Sequence, residues 1–96
     1  MLSDYDDLIK KATRHLRRLN LTDAKPLLLK AIQIDVTQAP AYNLLGYLYE
    51  LDANRYQAMK FYRVSYYLDQ SYKPASDNLE RLGSVHQTSR KVNLGE

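Results

Sequence analysis

Several residues of this 96-residue chain return 34 positions later. Pro40-Ala41 comes back as Pro74-Ala75, Leu45 as Leu79, Ala24 as Ala58 and Asp35 as Asp69. The small–large pair Ala31-Ile32 also lines up with Ser65-Tyr66. A constant interval of this size marks stacked repeats, in which each unit hides its apolar face only against a neighbour. A unit of 34 residues is short for a domain and long enough for two helices and their turns. The interval therefore predicts consecutive helical pairs.

Apolar spacing divides the chain the same way. Ser3 is placed to cap a first helix reaching about Asn20, with Asp4, Asp6 and Asp7 at the positive end of its dipole and Arg14, Arg17 and Arg18 at the other. Tyr5, Leu8, Ile9, Ala12, Leu16 and Leu19 follow three- and four-residue steps and form one stripe. Asp6–Lys10 and Asp7–Lys11 add favourable i,i+4 pairs worth ~0.3 kcal/mol each. Thr22 or Asp23 is expected to cap a second helix through about Asp35, with Pro26 in its first turn. Pro40 opens a third helix to about Asp52, with Tyr42, Leu45, Gly46 and Tyr49 on one face. After a turn at Ala53-Asn54, a fourth helix from about Arg55 to Asp69 gathers Ala58, Phe61, Tyr62, Ser65 and Leu68. Pro74 opens a fifth, with Leu79, Leu82 and Val85 inward. Beyond Gln87 the sequence is polar and aperiodic, and it is expected to fray. Short connections make neighbouring helices antiparallel.

Composition narrows the classes. Nothing approaches the roughly 20 apolar residues of a membrane span, and the acidic start, Asp4 to Asp7, is unlike a secretory signal. A cytoplasmic protein is expected. With no cysteine there is no disulfide, thiol nucleophile or cysteine-held zinc. His15 and His86 stand far apart, and His15 is expected in the inter-helix core, so no metal site is expected. Serines and aspartates form no nucleophile–base constellation and no glycine loop cradles phosphate, so neither a catalytic site nor a cofactor is expected. The net charge of +3 is unevenly placed: residues 1–9 carry −3, 10–30 carry +6, 31–72 carry −1 and 73–96 carry +1. The cluster Lys10, Lys11, Arg14, Arg17 and Arg18 could meet nucleic acid, the rival reading from another class, or simply be a solvated face. Acids at one end of that helix and tyrosines committed to packing weigh against nucleic acid.

The second copy carries a resemblance. Tyr42, Leu45, Gly46, Tyr49, Ala58, Tyr62, Ser65, Leu68 and Asp69 fall where the tetratricopeptide repeat family places an aromatic, Leu, Gly, Tyr, Ala, an aromatic, a small residue, Leu and Asp. The first copy departs in its leading helix, where Leu8, Ala12 and His15 replace aromatic, glycine and tyrosine. The third supplies one helix, with Ser76 and Glu80 in place of the aromatic and glycine. The resemblance implies an all-α, short right-handed α-solenoid of five helices in one domain over residues 1–87. Repeat one would span about 5–38, repeat two about 39–72 and a capping helix about 73–87, leaving 88–96 as a frayed tail.

Members of that family are binding scaffolds, with leading helices lining a concave groove. Carried over, the groove would present Asp6, Ile9, Lys10, Thr13 and Arg17, then Asn43, Leu44, Tyr47, Glu50 and Leu51, then Asp77, Asn78 and Arg81. Leu44, Tyr47 and Leu51 leave the third helix apolar on a second side. Three readings of that side stand: cover by the chain's own tail or by self-association, a bound peptide or helix of another protein, or tolerated exposure. Some members clamp a peptide's terminal carboxylate with lysines and asparagines. Ile9 and Thr13 occupy the first-helix positions here, so that ligand is not expected. Secretion chaperones that hold extended apolar segments fit Leu44 and Tyr47 better. Two and a half repeats also fall short of the roughly three usually needed, which predicts self-association or a longer array.

Overall fold

Local chemistry starts and stops each helix, and it does so twice at the same interval. In the computed structural model, which describes residues 3–84 and 91–96, five α-helices follow one another: α1 (Asp4–Arg17), α2 (Leu21–Ile34), α3 (Ala39–Leu51), α4 (Arg55–Leu68) and α5 (Lys73–Gly83). No strand occurs among the described residues. Ser3 caps α1 as expected, its hydroxyl oxygen accepting the Asp6 amide at 3.1 Å. Lys11 and Asp7 pair at 2.9 Å one turn apart.

The first helix stops earlier than its apolar stripe suggests. Leu19 turns into the left-handed region (φ 61°), and the amides of Leu19 and Asn20 reach back to the Leu16 and His15 carbonyls at 3.0 and 2.8 Å. The third helix ends identically, with Ala53 at φ 57° and the Ala53 and Asn54 amides on Glu50 and Tyr49 at 3.1 and 2.8 Å. This paired bonding satisfies carbonyls that a helix end leaves orphaned. It also swings Leu19 away from the stripe to 65% exposure. Each second helix then begins at once, behind Asn20 and Asn54 rather than behind Thr22 or Asp23. Pro26 is consequently the sixth residue of α2, not part of its first turn. Thr22, whose carbonyl loses a partner there, faces solvent.

Asp35 and Asp69 terminate α2 and α4 in the same extended conformation, φ −151°, ψ 102° and φ −153°, ψ 98°. Each carboxylate accepts the amide and hydroxyl of the residue two places on, Thr37 at 2.9 and 2.6 Å and Ser71 at 3.0 and 2.6 Å. The Thr37 hydroxyl, followed by the Gln38 side-chain amide, holds the Asp35 carboxyl below its ordinary range.

Every helix packs on its neighbour in sequence, and α3 additionally meets α1 and α5. Among the described residues, α1 meets neither α4 nor α5, and α2 meets neither of them. The body measures 40 × 27 × 21 Å. Ala24 and Ala58, and likewise Ala41 and Ala75, are fully buried, which is how the small residues of the 34-residue interval are used. Gly46 gives way to the ring of Tyr62: a Cβ there would lie 2.5 Å from Cε1 and 2.9 Å from Cγ. Ser65 donates to the Ala39 carbonyl at 2.8 Å, joining α4 to the start of α3. Tyr5 reaches across from α1, where its hydroxyl accepts the Ala41 amide at 3.0 Å and so caps the first turn of α3, which Gln38 does not. Burial pushes the Tyr5 phenol up to about 12.

Three expectations about packing are corrected. Leu44 is fully buried in the core with Leu16, Leu28 and Leu48, because α3 is central and is covered on two sides. Leu68 is 40% exposed at the end of α4. The fifth helix turns Ala75, Asn78 and Arg81 inward and leaves Leu79 and Leu82 half-buried; it ends at Gly83, so the span 73–87 is shortened, and Val85 lies outside the described residues.

Candidate functional site

The side formed by α1, α3 and α5 holds most of the polar residues singled out in the sequence, and it is occupied. Residues 91–96, expected to fray, lie along it without helical structure. Asn43 on α3 and Asn78 on α5 both donate their side-chain amides to the main-chain carbonyl of Asn93, at 3.0 and 2.8 Å. Asn78 Oδ1 accepts the Asn93 amide at 2.8 Å, so one side chain grips both main-chain groups of one residue. The two asparagines are tied to each other at 2.9 Å, and both are fully buried. A carboxamide offers a donor and an acceptor side by side, the complement of an extended peptide group.

Side chains of the segment are engaged as well. Asn93 donates to Asp77 Oδ2 at 3.0 Å, Leu94 packs on the edge of the main core, and Glu96 pairs with Arg17 of α1. Gly95 adopts φ +84°; its amide bonds to Asn93 Oδ1 at 2.9 Å, and any side chain there would run into the Tyr72 hydroxyl. Beside the segment an open cleft of about 1060 Å³ remains, lined by Arg17, Tyr47, Glu50, Asp77 and Arg81 together with the segment itself.

A charged tie supports the floor. Arg81 meets Glu50 through two bonds, 2.8 and 2.6 Å, with only 9% of the arginine and 23% of the glutamate side chain exposed. Tyr62 of α4 donates to the same Glu50 Oε1 at 2.7 Å. The pair raises the Arg81 guanidinium above its usual range, chiefly through the Glu50 hydrogen bond, and burial raises the Tyr62 phenol. A two-pronged arginine–carboxylate bond fixes both side chains, and here it joins α3 to α5.

The sequence-derived residues thus divide. Arg17, Asn43, Tyr47, Glu50, Asp77, Asn78 and Arg81 gather around the segment. Ile9 and Leu51 are half-buried against the core. Thr13 is buried, its hydroxyl donating to the Ile9 carbonyl at 2.8 Å. Leu44 is withdrawn altogether. Asn93, Leu94 and Glu96 were missed; the apolar pair Val92 and Leu94 flanking Asn93 was the available signal. His15 is half-buried with Nδ1 unpartnered, and His86 lies outside the described residues. Among the described residues, no group of three acids or histidines could hold a metal and no helix is long and apolar enough to cross a membrane. Comparison of the chain with family models, with curated proteins and with solved structures finds no match.

Proposed function

We propose that the chain is a non-catalytic protein-interaction scaffold, a short tetratricopeptide-like solenoid whose leading helices bind an extended peptide segment of a protein partner. One observation carries this reading: Asn43 and Asn78 converge on the main chain of a non-helical segment, and Asn78 takes both its N–H and its C=O. Backbone capture of this kind gives affinity for an extended strand of polypeptide, while neighbouring side chains add selectivity. The solenoid arrangement is supported by the shared junctions at Leu19 and Ala53, the shared caps at Asp35 and Asp69, and contacts that run along the chain and between leading helices. The floor tied by Glu50 and Arg81 favours a rigid site over one that reorganises.

A panel of unstructured peptides titrated into the isotope-labelled full chain tests this. Members of the panel should shift the Asn43, Tyr47 and Asn78 resonances, and Asn78→Leu should abolish the response. Raising salt from about 50 to 200 mM should change affinity little, whereas phosphate-driven nucleic-acid binding would fall by roughly 10³-fold or more. No shift with any peptide, or a steep salt dependence with oligonucleotides, would refute the reading.

A further inference from the structure

We propose that residues 91–96 are a resident ligand of the groove, and that the protein partner presents a copy of their pattern: asparagine, leucine, glycine and an acid in a non-helical segment that turns at the glycine. This rests on the groove reading above and adds the partner's chemistry and the manner of its control. Each position of the pattern has its own receiver. Asp77 takes the amide side chain of Asn93, the core edge takes Leu94, and Arg17 takes the acid of Glu96. Glycine is required between the last two, since the backbone there is left-handed and a Cβ would strike the Tyr72 hydroxyl. A different acid or a different apolar residue could be accommodated; a bulky residue in the glycine position could not.

The segment is held firmly enough to fill the site and weakly enough to leave it. Its anchor is three main-chain hydrogen bonds to asparagine side chains, each a modest net gain over the bond to water that it replaces. The Arg17–Glu96 pair is more than half exposed on both sides, and such pairs add little. The adjoining cleft of about 1060 Å³ gives an incoming strand room to engage Tyr47 and Arg81 before the resident one departs. A partner therefore competes against a tethered copy of its own sequence, whose effective concentration on a short tether is of the order of millimolar.

The test uses the 96-residue chain and a labelled synthetic peptide, Lys-Val-Asn-Leu-Gly-Glu, as probe. Asn93→Pro removes the amide that Asn78 accepts without touching any helix, and circular dichroism verifies that helical content is kept. With the tethered copy at millimolar effective concentration, a probe that binds this variant at about 0.1 mM should bind the native chain about tenfold more weakly. Replacing the probe's glycine by leucine should abolish binding, whereas replacing its glutamate by lysine should weaken it only a few-fold, since the Arg17 pair is exposed. Should Asn93→Pro lose helix, the native chain supplies the second measurement: excess probe must move the chain's own Asn93 and Leu94 resonances to their released positions. Equal probe affinity in variant and native chain, or no such displacement, overturns the proposal. If Asn93→Pro binds unrelated extended peptides as tightly as the probe, the groove stands and the resident-copy inference falls. If it binds no peptide at all, both fall.

Discussion

Gly46 and Gly83 allow the same substitution to be made twice with opposite expected results. In a helix interior, alanine is favoured over glycine by ~0.8–1.0 kcal/mol. At Gly46 a new Cβ would fall 2.5 Å from Tyr62 Cε1 and closer still to Cδ1. The ring has nowhere to go: it is fully buried, and its hydroxyl is held by Glu50 at 2.7 Å, which is itself locked to Arg81. Overpacking commonly costs ~1–3 kcal/mol and sometimes more, and a ring pinned at both ends belongs at the top of that range. The net loss for Gly46→Ala is therefore about 2 kcal/mol or more, a drop in melting temperature of roughly 10 °C for a chain of this size. Among the described residues, nothing lies within 4 Å of a would-be Cβ at Gly83, so Gly83→Ala should be neutral or stabilising by up to ~1 kcal/mol. Chemical unfolding followed at 222 nm measures both. In a Tyr62→Leu background, Gly46→Ala should lose most of its cost, because its partner in the clash is gone. A Gly46→Ala protein as stable as the native chain would refute the close-crossing argument.

Tyr5→Phe should cost about 1–3 kcal/mol, since the buried Ala41 amide loses its acceptor. The folded phenol titrates near 12 against an ordinary 10, so its contribution is present below about pH 10 and is lost as pH rises toward 12. Unfolding midpoints measured across that window should fall less steeply in Tyr5→Phe than in the native chain. Leu19→Gly and Ala53→Gly should each stabilise by ~0.5–1 kcal/mol: relief of a left-handed residue is worth ~1–2 kcal/mol, less the extra freedom glycine brings to the unfolded chain. A loss of stability at either position would contradict the left-handed junctions. Tyr47→Ala should weaken peptide binding and leave helical content nearly intact, as half-burial at the cleft edge implies; unfolding would show that it is core.

The fold was legible where one residue type fits only one backbone or packing role. Ala24 with Ala58 and Asp35 with Asp69 marked the interval, and the structure uses each pair the same way. The interval also runs through Asn20 with Asn54 and through Thr37 with Ser71, polar pairs that apolar periodicity does not register. Helix ends were misjudged at Leu19 because an apolar residue was read by its hydropathy, whereas the amide bonding of the junction decided its place. Leu44 was assigned to the groove because a helix apolar on two sides looks half-free. Periodicity gives the angle of a side chain about its axis and not how many helices surround it. The tail's place was legible only as one of three readings of that second side, for a related reason. Its attachment lies in main-chain groups, which every residue possesses, and in Asn43 and Asn78, whose 35-residue separation falls just off the repeat interval.

The seating of Glu96 beside Arg17 bears on how the molecule can be handled. A label carried on the side chain of residue 96 sits at the rim of the cleft and drags on the strand that fills it, whereas one carried at Ser3 sits at the exposed beginning of α1. Two preparations that differ only in which of these positions is labelled would then differ in peptide affinity while sharing every helix.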